Sequence, residues 1–150
     1  MEGTIRDALP GDIDAIEMIE NLCFSIPWTH SQLESCLPDE RHELIVFESA
    51  ENSVGGYIGM ICVLDEGYIT NVAVDPAMRR LGIGRALVEA MLARAEKRRM
   101  SFVTLEAREH NEAALALYTS MGFVRVGLRK GYYERPREDA VLMTYYFAEE

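Results

Sequence analysis

The stretch DPAMRRLGIGRAL (75–87) constrains this chain more than any other. It follows GYITNVAV (67–74), which reads as a strand. It leads into residues 83–99, where Ile83, Leu87, Met91 and Ala95 recur at helical spacing. Strand, glycine-containing loop, helix is an order with a physical use. A helix N-terminus leaves backbone N–H groups without partners at the positive end of the helix dipole. Glycines at 82 and 84 let an anion approach that backbone with no Cβ between. Arg79, Arg80 and Arg85 add charged donors. The loop therefore reads as a phosphate cradle. Two familiar phosphate loops are excluded. No G-x-x-x-x-G-K-S/T occurs, and the third position of a dinucleotide fingerprint is Leu87. The competing reading is that both glycines only permit close strand-to-helix packing.

Charge sharpens the point. The chain carries a net −10, yet residues 1–75 hold 15 acids against two bases, Arg6 and Arg41, while residues 76–150 hold 13 bases against 10 acids. Seven of those bases fall between 79 and 99. A basic island in an acidic chain is a local anion site, and nucleic acid would need a broader basic face. With 150 residues, 49% of them hydrophobic and 27% charged, residues 1–150 are expected to form a single globular domain. No apolar run reaches membrane-spanning length, and MEGTIRDALPGD lacks the pattern of a secretory signal, so neither membrane nor export is expected. Cys23, Cys36 and Cys62 are odd in number and far apart, which fits reduced thiols in a cytoplasm. His30, His42 and His110 show no ligand spacing with them, and no metal is expected.

Further elements follow from pattern. TIRDAL (4–9) reads as a strand, and Asp12 as the cap of a helix to about Leu22. After the apolar loop FSIPW, Thr29 and Gln32 form a capping box opening a short helix to about Leu37. Residues 43–49 and 55–65 read as antiparallel strands, 102–107 as another, and 123–129 and 140–147 as the last two with an irregular hairpin between. Asn111 caps a helix to Met121 that Gly122 closes. Strands and helices mix without strict alternation, which predicts an α/β or α+β fold with a partly antiparallel sheet.

Arg79-x-x-Gly82-x-Gly84 resembles the pyrophosphate-binding motif of the GNAT superfamily of N-acetyltransferases. LEAREHNEAALALYTSMGFVRVG (105–127) resembles the same superfamily's second half. KGYYERPREDAVLM (130–143), with FSIPW upstream, is similar to the ribosomal-protein-alanine branch. The resemblance is strong over 66–147 and weak over 1–65. It implies a mixed, mostly antiparallel sheet of about seven strands flanked by about four helices. It also implies acetyl-CoA as acetyl donor and no metal.

The resemblance assigns residues as well. Backbone at Val72, Ala73 and Val74 would pair with the pantetheine arm, and an N–H near Val72, at a bulge the sequence does not display, would meet the oxyanion. Arg79, Arg80, Leu81, Gly82, Ile83, Gly84 and Arg85 would hold pyrophosphate, and Asn111 would contact the cofactor arm besides capping its helix. Glu106 stands at the family's general-base position; read from sequence alone, it is a strand-end acid paired with Arg108. An α-amine near 7.7–8 costs only about 1 kcal/mol to deprotonate at pH 7, against about 4.6 for a lysine near 10.4, so a modest base suits an N-terminus. Tyr118 would protonate or hydrogen-bond the departing thiolate; its other reading is a core tyrosine. Tyr132 and Tyr133 would bind the substrate peptide's backbone, opposite a wall of Phe24, Pro27 and Trp28. Transfer is expected to be direct, since no cysteine stands at a nucleophile position. The expected substrate is the N-terminal peptide of a basic, ribosomal protein, often beginning with alanine, drawn to the acidic first half at low salt. Lysine or small-molecule acetylation, and a non-catalytic coenzyme A-binding module, are the alternatives.

Overall fold

Among the described residues, seven strands form one sheet in the spatial order 3–7, 42–49, 54–63, 66–74, 102–108, 138–146, 124–133. The computed structural model describes residues 2–37 and 39–148. The strands are β1 (Gly3–Asp7), β2 (His42–Ser49), β3 (Val54–Val63), β4 (Glu66–Val74), β5 (Phe102–Arg108), β6 (Val124–Tyr133) and β7 (Glu138–Tyr146). The helices are α1 (Ile13–Cys23), α2 (His30–Glu34), α3 (Ile83–Lys97) and α4 (Glu112–Ser120). Every neighbouring strand pair is antiparallel except β4 and β5, which run parallel. Seven strands and four helices match the expected architecture.

The two sheet faces have separate cores. On one, Ile83, Leu87, Met91 and Ala95 of α3 are buried against Ile45, Ile58, Met60 and Val103, as the four-residue repeat of the helix requires. On the other, Ile13, Ile16 and Ile19 of α1 and Leu33 of α2 pack on Leu44, Val46, Tyr57 and Ala73. Strand alternation sends Val103, Leu105 and Ala107 of β5 into the α3 side and leaves Thr104 and Glu106 on the α1 side.

Two predicted caps form. Thr29 Oγ1 accepts from Gln32 N–H at 3.2 Å while Gln32 Oε1 accepts from Thr29 N–H at 2.8 Å. Asn111 Oδ1 accepts from Ala114 N–H at 3.2 Å. Asp12 does not cap α1. Its carboxylate binds the Arg6 guanidinium at 2.8 and 3.0 Å and accepts from Leu9 N–H at 2.7 Å. It serves the β1–α1 junction because a fork-shaped cation is within reach, and a charged pair outcompetes a neutral cap. Arg6 holds the Asp12 carboxyl below its ordinary value. The stability this lends is therefore present above the ordinary carboxylate pKa and lost as pH falls through the depressed value. Asp12→Asn should lower Tm at neutral pH and flatten the acid side of a plot of Tm against pH. An unchanged acid limb would remove Asp12 from that role.

Candidate active site

The site begins where the parallel pair ends. β4 and β5 are in register only over Glu66–Tyr68 and Phe102–Thr104, and then part. Beyond that point the β5-facing edge of β4 has no strand partner among the described residues, while its other edge stays paired, Val72 to Ile58, Ala73 to Tyr57 and Val74 to Gly56. An unpaired backbone edge accepts an extended chain as an added strand. At the same place β4 carries a bulge. Gly59 pairs with Asn71 and Met60 with Ile69, so Thr70 is the extra residue. The insertion reverses side-chain alternation. Ile69 enters the α3 core, and Asn71 turns to the α1 face, where Nδ2 lies 3.4 and 3.5 Å from the Glu20 carboxylate.

A cleft of about 670 Å³ fills the split. Glu106 lines it, its side chain 5% exposed. Tyr68, from the last paired position of β4, donates its hydroxyl to Glu106 Oε1, and Arg129 Nε stands 3.7 Å from the same oxygen. Among the described residues, Glu106 Oε2 has no hydrogen-bond partner. The alternative reading of Glu106, a strand-end acid paired with Arg108, does not hold. Arg108 binds Glu138 at 3.1 Å and lies 4.3 Å from the Tyr133 ring centroid. Tyr118 lines the opposite side from α4, 7% exposed and packed on Phe123. Burial pushes its hydroxyl up to about 12, so it is neutral at working pH. Asn111 also reaches the cleft, and its helix cap engages Oδ1, not the Nδ2 donors.

Tyr132 and Tyr133 line the cleft edge-to-face, 5.1 Å apart. Phe24 and Trp28 line the cleft as well. Pro27 does not; Ser25 and Ile26 occupy the wall in its place. Trp28 is fixed by its N–H, which donates to Glu20 Oε1 at 2.8 Å. Glu20 also accepts from the Tyr57 hydroxyl, and burial pushes its carboxyl up. Cys23 lines the cleft as well, which sequence spacing did not suggest. Its thiol donates to Val74 C=O at 3.4 Å, and burial pushes its pKa up, so it is a poor nucleophile.

The glycine–arginine loop lies beyond the cleft lining. Gly82 caps α3 with φ +81°, a conformation that suits glycine, and a Cβ there would meet nothing within 4 Å among the described residues. The α3 ladder opens with Ala86 N–H donating to Gly82 C=O at 3.0 Å, so the amides ahead of it remain available. Arg80 and Leu81 are exposed. Arg79 lies 3.4 Å from Cys23 Sγ, and Arg85 donates to Ser120 at 2.7 Å. The open glycine cradle and its cations fit a diphosphate. Sequence reasoning missed Glu20, Tyr68 and Asn71. On the exposed side of α1 and α2, Asp14, Glu17 and His30 bring potential ligand atoms within 4.8 Å of one another, a grouping also not visible in the sequence. Among the described residues, no helix is long and apolar enough to cross a membrane.

A family model described as "Acetyltransferase (GNAT) family" matches residues 13–123. The chain is 35% identical over 143 residues to the [ribosomal protein bS18]-alanine N-acetyltransferase of Escherichia coli, covering 93% of this chain and 95% of that one. The crystal structure of the Escherichia coli ribosomal-protein alanine N-acetyltransferase superposes with a TM-score of 0.91 at 33% identity, over 99% of this chain and 96% of that one. Arabidopsis thaliana NAA60, solved with acetyl-CoA, shares the fold with a TM-score of 0.89 at 19% identity, over 97% and 99% of the two chains.

Proposed function

We propose that this chain, which belongs to the acetyltransferase (GNAT) family, transfers acetyl from acetyl-CoA to the N-terminal α-amine of a ribosomal protein, the alanine of bS18. The observation that carries this reading is the 35% identity to a bS18-alanine enzyme over nearly the whole of both chains. The cleft chemistry agrees with it. Acetyl-CoA would bring an activated thioester, its diphosphate held by the loop 79–85 and its arm along Val72–Val74 and Asn111. The protein's part is to orient it and to manage protons.

Glu106 is assigned as the base. Its second oxygen is unpaired among the described residues, and Tyr68 holds the first, which fixes the direction of the free lone pairs. Removing the α-ammonium proton is its task. A backbone N–H near Val72, two residues after the bulged Thr70, is assigned to the developing oxyanion. Tyr118 is assigned to the departing sulfur. A phenol raised to about 12 is a weaker acid than a thiol, so Tyr118 acts there as a hydrogen-bond donor more than as a full proton source. Tyr132, Tyr133, Phe24 and Trp28 are assigned to the peptide, with Pro27 no longer among them. The acidic Asp14, Glu17 and Glu34 around His30 suit a basic peptide, and a ribosomal target in turn suits a cytoplasmic enzyme.

The test is acetyl transfer to a synthetic peptide that begins with alanine and continues with basic residues, against the same peptide with its α-amine blocked. The free peptide should gain one acetyl group at its N-terminus, and the blocked one none. Equal acetylation of lysines in the blocked peptide would overturn the α-amine reading in favour of a lysine enzyme.

A further inference from the structure

We infer that Asn71 positions the attacking nitrogen, its side-chain carbonyl oxygen accepting one N–H of the substrate's primary amine while Glu106 takes a proton from the same atom. The inference rests on the α-amine reading above. Among the described residues, three buried side-chain polar atoms lack a hydrogen-bond partner, and two of them, Asn71 Oδ1 and Glu106 Oε2, belong to residues lining the cleft. Buried acceptors without donors are uncommon and costly, so such a pair in one cleft points to a ligand that brings donors.

The orientation of the Asn71 amide follows from its surroundings. Glu20 accepts from the Tyr57 hydroxyl, from Trp28 N–H and from Asn71 Nδ2. Flipping the amide would set its oxygen against that carboxylate and lose two contacts. The nitrogen therefore faces Glu20, and the oxygen is the end left over. The bulge at Thr70 places Asn71 on the same sheet face as Glu106, on the two strands whose parting opens the cleft.

The complement of two acceptors is a group with several donors and no acceptor, which describes a primary ammonium. The reaction balances on it. The nitrogen bonds to the acetyl carbon, the carbon–sulfur bond breaks, and three N–H bonds become one. One proton leaves to Glu106 and then solvent, the other ends on the thiol sulfur. Asn71 accepts no proton. It holds the N–H that survives in the amide product, so that once Glu106 has taken its proton the nitrogen can turn the uncovered lone pair from Glu106 to the acetyl carbon without leaving its place.

The experiment compares the parent with Asn71→Leu on the alanine peptide and on its desamino analogue, in which hydrogen replaces the α-amine, used as a competitive inhibitor. Asn71→Leu should lower kcat/KM for the alanine peptide by about 10- to 100-fold, the range for a hydrogen bond at a charged centre. The analogue's inhibition constant should stay within about twofold of the parent's, because it has no N–H for Asn71 to lose. If the analogue weakens by the same factor, or kcat/KM does not fall, Asn71 only shapes the wall and the inference is overturned while the α-amine reading stands. If the parent acetylates no α-amine, that reading fails and this one with it. Coenzyme A binding by each variant checks the fold, and Asn71→Ala replaces Asn71→Leu should the latter not bind it.

Discussion

Glu106→Gln is expected to lower kcat for an alanine-initiated peptide by about 100- to 10,000-fold at pH 7, the range for loss of a general base, with coenzyme A affinity unchanged. The substitution is close to isosteric. The glutamine carbonyl still accepts from Tyr68, so the buried side chain keeps its place beside β4. What disappears is the ability to take a proton. This makes the deficit depend on pH in a definite direction. An α-amine with a pKa near 8 is about one-tenth neutral at pH 7 and about nine-tenths neutral at pH 9, so bulk hydroxide does part of the work as pH rises. The gap between parent and variant should narrow by close to tenfold over that interval. Tyr118 does not confuse the profile, since its hydroxyl stays protonated until about 12. A variant within about threefold of the parent, or one changed only in KM, would assign Glu106 to binding and leave the base elsewhere.

The parts of the site visible in the sequence are those made by neighbours in the chain. The capping box at Thr29–Gln32, the Asn111 cap and the α3 row from Ile83 to Ala95 each depend on residues three or four apart, and local pattern finds them. The glycine loop was legible for the same reason. The missing parts join residues far apart. Tyr68 meets Glu106 across 38 positions, and Glu20 meets Tyr57 across 37. No local period predicts which strand will lie beside which. The bulge at Thr70 is the sharpest case. GYITNVAV has no residue that demands an insertion, yet one extra position decides that Asn71 faces Glu20 instead of the α3 core. Asp12 failed in the opposite way. Its local signal for a cap was good, and a cation six residues earlier in the chain outcompeted it.

Replacing both loop glycines by alanine should weaken coenzyme A binding by about 100-fold, the loss of two charge-assisted hydrogen bonds, with little change in stability. The stability half of this expectation follows from two opposing effects. Gly82 has φ +81°, where an alanine costs about 1–2 kcal/mol. Gly84 lies inside α3, where alanine is favoured by up to about 1 kcal/mol. Space does not limit either change within the protein itself. Among the described residues, a Cβ at 82 meets nothing within 4 Å, and one at 84 meets only Val74 Cγ2 at 3.8 Å, an ordinary contact. Two small groups that the fold tolerates can therefore harm binding only by standing between the α3 amides and an incoming anion. That separates the two readings of the loop. If the glycines served strand-to-helix packing, the double variant would lose stability and its affinity would follow only as far as the fold was lost. If they serve as a cradle, calorimetry with coenzyme A shows the loss at a nearly unchanged Tm. Titration with a desphospho fragment ending at the pantetheine arm should then show no difference between parent and variant, since on the proposed assignment that part of the ligand would lie along Val72–Val74, away from the loop. Equal weakening of fragment and whole coenzyme would mean that the alanines disturb β4 itself, and the diphosphate assignment to residues 79–85 would have to be withdrawn.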